Sequence, residues 1–311
     1  DVSIIIVNWN TKVLLLDLVE SIYQTTKVSL FEIIVVDNDS TDGSIDAVHN
    51  SFPRVLTIIN SSNLGFAKAN NIGIRRAKGR YVCLINSDVK VLDKALDNMV
   101  AYMDAHPGIG ALAPKTFWND MNIQQNCREF PNLRNAACQS FYLHRLFPKI
   151  RAFRDRTIIC DHSTILPVEA LSGCFMMVRR EVIARVGVLD ERFFFYSEDV
   201  DWSKRIYDDG WKLVYYPRAE VIHYGGASSD NASLQYEIQL LKANWQYWKK
   251  HKNVLECSLF WLIKFLGSLM RMGGWLLISL FISNDQSRAK ISAKVYCQML
   301  VWLLVPKLGK G

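Results

Sequence analysis

The feature that most constrains this chain is a series of short, almost wholly apolar segments that each end on a polar residue. Val2-Ser3-Ile4-Ile5-Ile6-Val7 ends at Asn8, and Phe31-Glu32-Ile33-Ile34-Val35-Val36 ends at Asp37. Val55-Leu56-Thr57-Ile58-Ile59 ends at Asn60, and Arg80-Tyr81-Val82-Cys83-Leu84-Ile85 ends at Asn86. Helical patterns lie between them. Leu14, Leu15, Leu18 and Ile22 follow Asn10 or Thr11 as N-cap, Asp42-Gly43-Ser44 opens a second helix, and residues 66–78 form a third. Segments that are apolar on both faces and alternate with helices imply an α/β fold with a mostly parallel central sheet covered on both sides. In such sheets ligands bind beyond the carboxyl ends of the strands. Asn8, Asp37, Asn60 to Asn63 and Asn86 to Asp88 all fall at those ends.

Beyond residue 117 the pattern changes. Residues 117–167, rich in aromatics, arginines and prolines, suggest irregular structure and short helices over a pocket mouth. An apolar segment at 168–179, a helix near 180–186, a helix opening near Glu198, short strands at 211–216 and 220–224 and a long helix over 231–251 follow. The tail differs in kind. Residues 257–283 are apolar but interrupted by Lys264, Arg271 and Gly273-Gly274, and 295–305 is too short to span a bilayer. Two cations inside such a stretch favour helices lying in a membrane interface with snorkelling side chains over a spanning helix or an oligomer contact. The expected division is therefore 1–250 for the α/β domain and 251–311 for membrane-associating helices.

Charge agrees with that division. From Lys242 onward eleven Lys or Arg stand against Glu256 and Asp285, a net of +9, which leaves −2 of the total +7 for residues 1–241. A near-neutral body argues against a nucleic-acid partner, and a cationic tail points to a membrane surface with anionic lipids. Seven cysteines without CxxC spacing read as reduced thiols in a cytosolic protein, not as a zinc site. A first residue of Asp1 suggests that the native start lies upstream.

Five ordered motifs carry a resemblance. Val2 to Asn10, Val35 to Gly43, Asn63 to Gly73, Leu84 to Asp88, and the pair Leu171 to Arg180 with Phe194 to Trp202 resemble family 2 glycosyltransferases of the GT-A fold. The likeness covers about residues 1–225 and is closest in flavour to bacterial rhamnosyltransferases acting on polyprenyl-diphosphate-linked sugars. It implies an inverting enzyme that uses a dTDP- or UDP-linked sugar, with L-rhamnose from dTDP-rhamnose as first expectation. UDP-hexose or UDP-N-acetylhexosamine is the alternative. The acceptor would be a hydroxyl of a lipid-linked saccharide in cell-surface polysaccharide synthesis. The enzyme would act at the cytoplasmic face of the inner or plasma membrane, and oligomers are compatible with this picture.

The resemblance also implies the site. Val7, Asn8, Asp37, Asn38, Asp39, Gly65, Asn71, Asn86 and Ser87 would bind the nucleotide sugar, Asp37 or Asn38 meeting the imide edge of uracil or thymine. The bland alternatives are a helix cap by Asp39, Ser40 or Asp42, and ordinary helix packing for Asn71. Asn86-Ser87-Asp88 occupies the place of the family's Asp-x-Asp metal motif. Because its first acid is Asn86, Mg²⁺ or Mn²⁺ would be held by Asp88 and bound mainly together with the donor. His223 would be a further ligand, as in some relatives. Asp199 would be the general base, with Glu198 orienting it or touching the acceptor, and Asp201 a first-turn acid. A nucleotidylyltransferase is disfavoured because Asn8-Trp9-Asn10-Thr11 lacks the glycines of a phosphate loop. A non-catalytic membrane-recruited module with a degenerate site would show no turnover with any donor.

Overall fold

A computed structural model describes residues 1–27, 29–147, 149–153, 162–225, 233–281 and 286–305. The chain divides into two compact units. The first comprises 1–130 and 157–230, and the second comprises 131–156 and 231–311.

The first unit is a sheet covered by helices. Strands β1 (Val2–Asn8), β2 (Phe31–Asp37), β3 (Leu56–Ile59) and β4 (Tyr81–Asn86) alternate with α1 (Lys12–Thr25), α2 (Ser44–Ser51) and α3 (Phe66–Arg76). Then follow β5 (Val89–Val91), α4 (Ala95–Ala105), β6 (Ile109–Phe117), β7 (Ile123–Gln124), β8 (Leu166–Val168), β9 (Phe175–Arg179), α7 (Arg180–Val186), α8 (Glu198–Asp208) and β10 (Lys212–His223). The order across the sheet is β3-β2-β1-β4-β9-β6-β10-β5, with β7 beside β6 and β8 beside β10.

The continuous apolar strands have a direct cause. Ile4 and Ile6 pack on one side with Leu15, Leu18 and Met99. Ile5 packs on the other with Ala67, Leu84 and Trp202. Because successive side chains alternate between faces, a strand buried on both must be apolar at every position. Each fully buried Ile or Val contributes about 1.5–3 kcal/mol.

The expected mostly parallel sheet is instead mixed. β3, β2, β1 and β4 are mutually parallel. β9 then enters antiparallel between β4 and β6, β10 runs parallel to β6, and β5 and β8 pair antiparallel with β10. The two short strands expected at 211–216 and 220–224 are one twelve-residue strand, β10, whose register against β6 shifts between Tyr216 and Glu220.

The second unit is helical: α5 (Leu133–Ser140), α6 (Leu143–Leu146), α9 (Ser233–His251), α10 (Val254–Phe281) and α11 (Gln286–Leu304). Leu241 of α9 shares a core with Val295, Tyr296, Met299 and Leu303 of α11 and with Trp261 and Phe265 of α10. Packing therefore places α9 with the tail, and the units part before α9, whereas the sequence division lay at residue 250. Residues 231–232 and 282–283, at the ends of the expected helix and apolar stretch, lie outside the described residues. Among the described residues no helix is long and apolar enough to cross a membrane. The expected snorkelling of Arg271 is not seen. Its guanidinium stacks 3.9 Å from the Tyr142 ring, donates to Ser140 O at 3.1 Å and to Gln139 O, and lies 3.2 Å from the Tyr296 hydroxyl.

Candidate active site at the carboxyl end of the sheet

β2 and β3 lie on one side of β1, and β4 on the other, so the strand order reverses at β1/β4. The crevice beyond such a reversal is where doubly covered sheets bind ligands. In register, Asn8 stands beside Asp37 and Val7 beside Asn86, so the polar strand ends meet at that crevice.

Asn8 is the hub of the first cluster and is fully buried. Its Nδ2 lies 2.7 Å from Asp37 Oδ1, 2.8 Å from Ser44 Oγ and 3.0 Å from Ser40 Oγ, three acceptors for two protons. The Thr11 hydroxyl is 2.7 Å from both Asn8 Oδ1 and Ser87 Oγ, which ties the β1 end to the β4 end. Asp42 accepts from Lys12 N at 2.8 Å and Ser44 N at 3.0 Å, and so serves the first turns of α1 and α2 together. Asn38 accepts from Asn60 Nδ2 at 2.9 Å and donates to Gly65 O at 3.3 Å. Asn8 and Asn38 thus spend their side-chain amides inside the protein. Asp39 differs: it is exposed, with a left-handed backbone (φ 64°).

Asn71 departs from its expected role. Its Nδ2 donates to Leu189 O at 2.8 Å and lies 3.1 Å from Glu191 Oε1, while Leu189 N donates to its Oδ1 at 3.0 Å. Being fully buried, this amide clamps the 189–191 loop. Gly65 is required by a close approach. With φ at +80°, a Cβ there would stand 2.4 Å from Phe194 O, the carbonyl that accepts from Phe66 N at 2.7 Å. That contact joins the start of α3 to the segment leading into α8.

The second cluster holds the metal-type residues. β5 pairs with β10 so that Val89 faces His223, which brings His223 Nε2 to 3.2 Å from Asp88 Oδ1. His223 Nδ1 lies 2.9 Å from Gln124 Oε1, and its ring stacks at 16° to Trp118. With its proton on Nδ1 facing Gln124, the imidazole turns an Nε2 lone pair toward Asp88, the orientation that a metal-ligating histidine needs. Asn86 Oδ1 is buried with no hydrogen-bond partner among the described residues. A carboxylate, an imidazole and an unsatisfied amide oxygen are the donor types that Mn²⁺ or Mg²⁺ accepts, so the residues fit the ion. Among the described residues no group of three or more His, Cys, Asp or Glu side chains gathers to hold a metal alone.

The third cluster is at the start of α8. Tyr196 and Ser197 are both left-handed (φ 73° and 67°), turning the chain sharply into Glu198-Asp199. Asp199 accepts from Gly173 N at 3.0 Å through Oδ2. One residue on, Cys174 O accepts from Asn86 N at 2.9 Å, so the segment 172–174 links the base candidate to the metal cluster. The Cys174 thiol is pushed up to about 11, chiefly by burial; Asp88 and Asp199 raise it further, while Ser172 and Arg128 oppose them. Both carboxylates and the Arg128 guanidinium therefore act on one point, and the thiol stays protonated at neutral pH.

Glu198 is buried at 4% exposure, and its Oε2 has no hydrogen-bond partner among the described residues. Burial first, then the Asp199 and Asp201 charges, push its carboxyl well above the ordinary range. Asp201 is fully buried and accepts from Arg205 Nε at 3.0 Å, while Arg205 also binds the carbonyls of Val186 and Val188. It holds a loop and is no mere first-turn acid. Sequence reasoning missed Gln124 and the Gly173 amide. Gln124 lies in the undecoded 117–167 stretch, and a backbone donor leaves no mark in a sequence. Arg179, given no role from sequence, spends its guanidinium on Ile109 O and Met103 O. The six described cysteines are thiols in no disulfide, and Cys160 and Gly226 lie outside the described residues.

The architecture is a GT-A-like α/β fold with a mixed central sheet flanked by helices. The mannosyltransferase PcManGT from Pyrobaculum calidifontis, solved with GDP-Man and Mn²⁺, superposes with a TM-score of 0.58 at 16% identity, covering 99% of this chain and 88% of that one. Staphylococcus aureus TarS residues 1–349 with UDP-GlcNAc gives 0.54 at 14% identity, covering 98% and 82%. The family model for glycosyl transferase family 2 matches residues 3–187. The chain belongs to that family. An N-acetylglucosaminyl-diphospho-decaprenol L-rhamnosyltransferase of Mycobacterium tuberculosis is 30% identical over 212 residues, 63% of this chain and 67% of the relative.

Proposed function

We propose that this chain is an inverting transferase that moves a sugar from a nucleoside diphosphate donor to a hydroxyl of a lipid-linked saccharide, at the cytoplasmic face of a membrane. The observation that carries this reading is the segment 172–174, which joins Asp199 through the Gly173 amide and Asn86 through the Cys174 carbonyl. A base and a diphosphate site linked within three residues suit one displacement at one carbon.

In that reading Asp199 takes the proton of the acceptor hydroxyl. The acceptor oxygen bonds to the anomeric carbon as the bond from that carbon to the diphosphate oxygen breaks. The electron pair leaves with the nucleoside diphosphate, and attack from the opposite face inverts the centre. Asp88 and His223, with Asn86, would hold Mg²⁺ or Mn²⁺, which neutralises charge on the leaving diphosphate. Asp37 or Asn38, with exposed Asp39 beside them, would meet a pyrimidine imide.

We take dTDP-L-rhamnose as the first donor; the mycobacterial relative, an L-rhamnosyltransferase by name, supports the sugar. UDP-hexose or UDP-N-acetylhexosamine is the second, because uracil and thymine share the imide edge that this cluster would read. The test is nucleotide release from dTDP-rhamnose, UDP-glucose, UDP-galactose and UDP-N-acetylglucosamine, with and without Mg²⁺ or Mn²⁺, in membrane lipid extract. Metal-dependent release from one donor, lost in Asp199→Asn, is expected; no release from any of them would refute the reading.

A further inference from the structure

Helix α10 carries leucines at alternating steps of four and three residues: Leu255, Leu259, Leu262, Leu266 and Leu269, with Leu276 seven residues beyond. All six are 39% to 69% exposed, so they form one outward stripe. At 1.5 Å per residue it is about 32 Å long. Beyond Glu256 at its start, one flank holds Ile263, Met270 and Leu277 in place of a charge.

The three charged residues of α10 all lie off this stripe. Glu256 pairs with Lys252 at 3.4 Å, Lys264 lies over the Phe260 ring, and Arg271 is spent on α5 and Tyr296. The helix has turned its cations toward its own unit and left a long uncharged leucine face outside. A patch of this kind marks a surface that is covered in use.

Two occupants are possible in principle, and charge decides between them. A leucine seam that pairs with a second copy in water is flanked by charged positions that set register and keep the rim wet. Here, beyond Glu256, the flanks carry no charge, as suits hydrocarbon. The unit as a whole is strongly cationic. Residues 131–156 and 231–311 hold 17 Lys and Arg against four acids, a net of +13, which leaves −6 of the total +7 for the other unit. A strongly cationic unit that bears an uncharged apolar helix face matches an anionic lipid leaflet.

We propose that the outer face of α10 is a lipid-docking surface, seated in the plane of an anionic bilayer. This deepens the reading of a lipid-linked acceptor, yet it stands on the second unit alone.

The test is co-sedimentation of the full chain with vesicles of phosphatidylcholine, alone or mixed with phosphatidylglycerol. Binding to the mixed vesicles is expected, weaker by roughly tenfold or more on neutral ones. Changing Leu262, Leu266 and Leu269 together to Gln should weaken it by roughly tenfold or more, while nucleotide-donor binding persists. As a check independent of that variant's folding, Leu266→Cys carrying an environment-sensitive dye, with Cys257 and Cys297 changed to Ser, should blue-shift on adding vesicles. Unchanged sedimentation of the triple variant, equal binding to both vesicle types, or an unmoved dye would each overturn the proposal. So would a dimer in water that the triple variant splits without altering vesicle binding. Turnover of a lipid-free acceptor by a chain that never sediments would defeat the docking surface and spare the transferase reading; sedimentation without turnover would do the reverse.

Discussion

Asp199 accepts a hydrogen bond from Gly173 N on Oδ2 at 3.0 Å, and its Oδ1 accepts one from Val200 N at 2.8 Å in the first turn of α8. An asparagine can keep the Gly173 contact through its own oxygen but cannot take a proton. Asp199→Asn should therefore bind donor as before and lose kcat by about 10²–10⁴-fold, the usual worth of a positioned general base. Donor titration followed by single-turnover transfer separates the two effects.

Gln124 fixes the ring of His223 from the Nδ1 side. Gln124→Leu removes that partner without touching Asp88 or the donor cluster. Mn²⁺ affinity, read by the paramagnetic signal of the free ion, should fall by about 10–100-fold, as for other groups that orient a ligating histidine. Gln124→Glu should restore most of it.

Gly65 leaves no room for a methyl group. A Cβ at 2.4 Å from Phe194 O, on a backbone with φ at +80°, must displace the segment leading into Glu198. Gly65→Ala should cost about 1–3 kcal/mol. That is a fall of about 2–4 °C in Tm for each kcal/mol, measurable by calorimetry. Loss of kcat beyond the loss of folded protein would follow if the displaced segment carries Asp199 with it.

Glu198 ties stability to pH. Its folded carboxyl is raised well above the value of 4.5 that it has when free, so the folded state holds a proton that the unfolded state releases. Stability from this residue is complete below about pH 4.5 and declines as pH rises toward the folded value. Glu198→Gln keeps a neutral group there at every pH. The variant should melt higher than wild type at pH 8 and match it near pH 4, in paired melting curves; a constant offset across that range would refute the assignment.

Much of the first unit was legible in the sequence. Ile4, Ile5 and Ile6 read as a strand buried on both faces, and Asn8, Asp37 and Asn86 marked the carboxyl ends of the parallel strands. The antiparallel entry of β9 was not legible, because Phe175 to Arg179 is as apolar as a parallel strand would be. Nor was the unity of β10, since Pro217 and Arg218 look like a break, and the sheet absorbs them as a register shift. Asn71 shows the limit most plainly. An amide on a helix face reads the same whether it meets a nucleotide or clamps a loop, and only the carbonyl of Leu189 decides between them. In the tail, Lys264 and Arg271 looked like cations bound for an interface; their true partners, Phe260, Tyr142 and Ser140, depend on packing that periodicity does not encode.

The place of β10 in the sheet also sets the order in which the molecule can become functional. Asp88 and His223 are 135 positions apart, and they meet only once β10 has paired with β6 on one side and β5 on the other. Closing so long a loop is slow compared with forming the local βα units at the start of the chain. A refolding or newly made chain would thus have its nucleotide end built before it could hold a divalent ion. Mn²⁺ affinity should appear with the slowest refolding phase, which makes ion binding a timer for completion of the sheet.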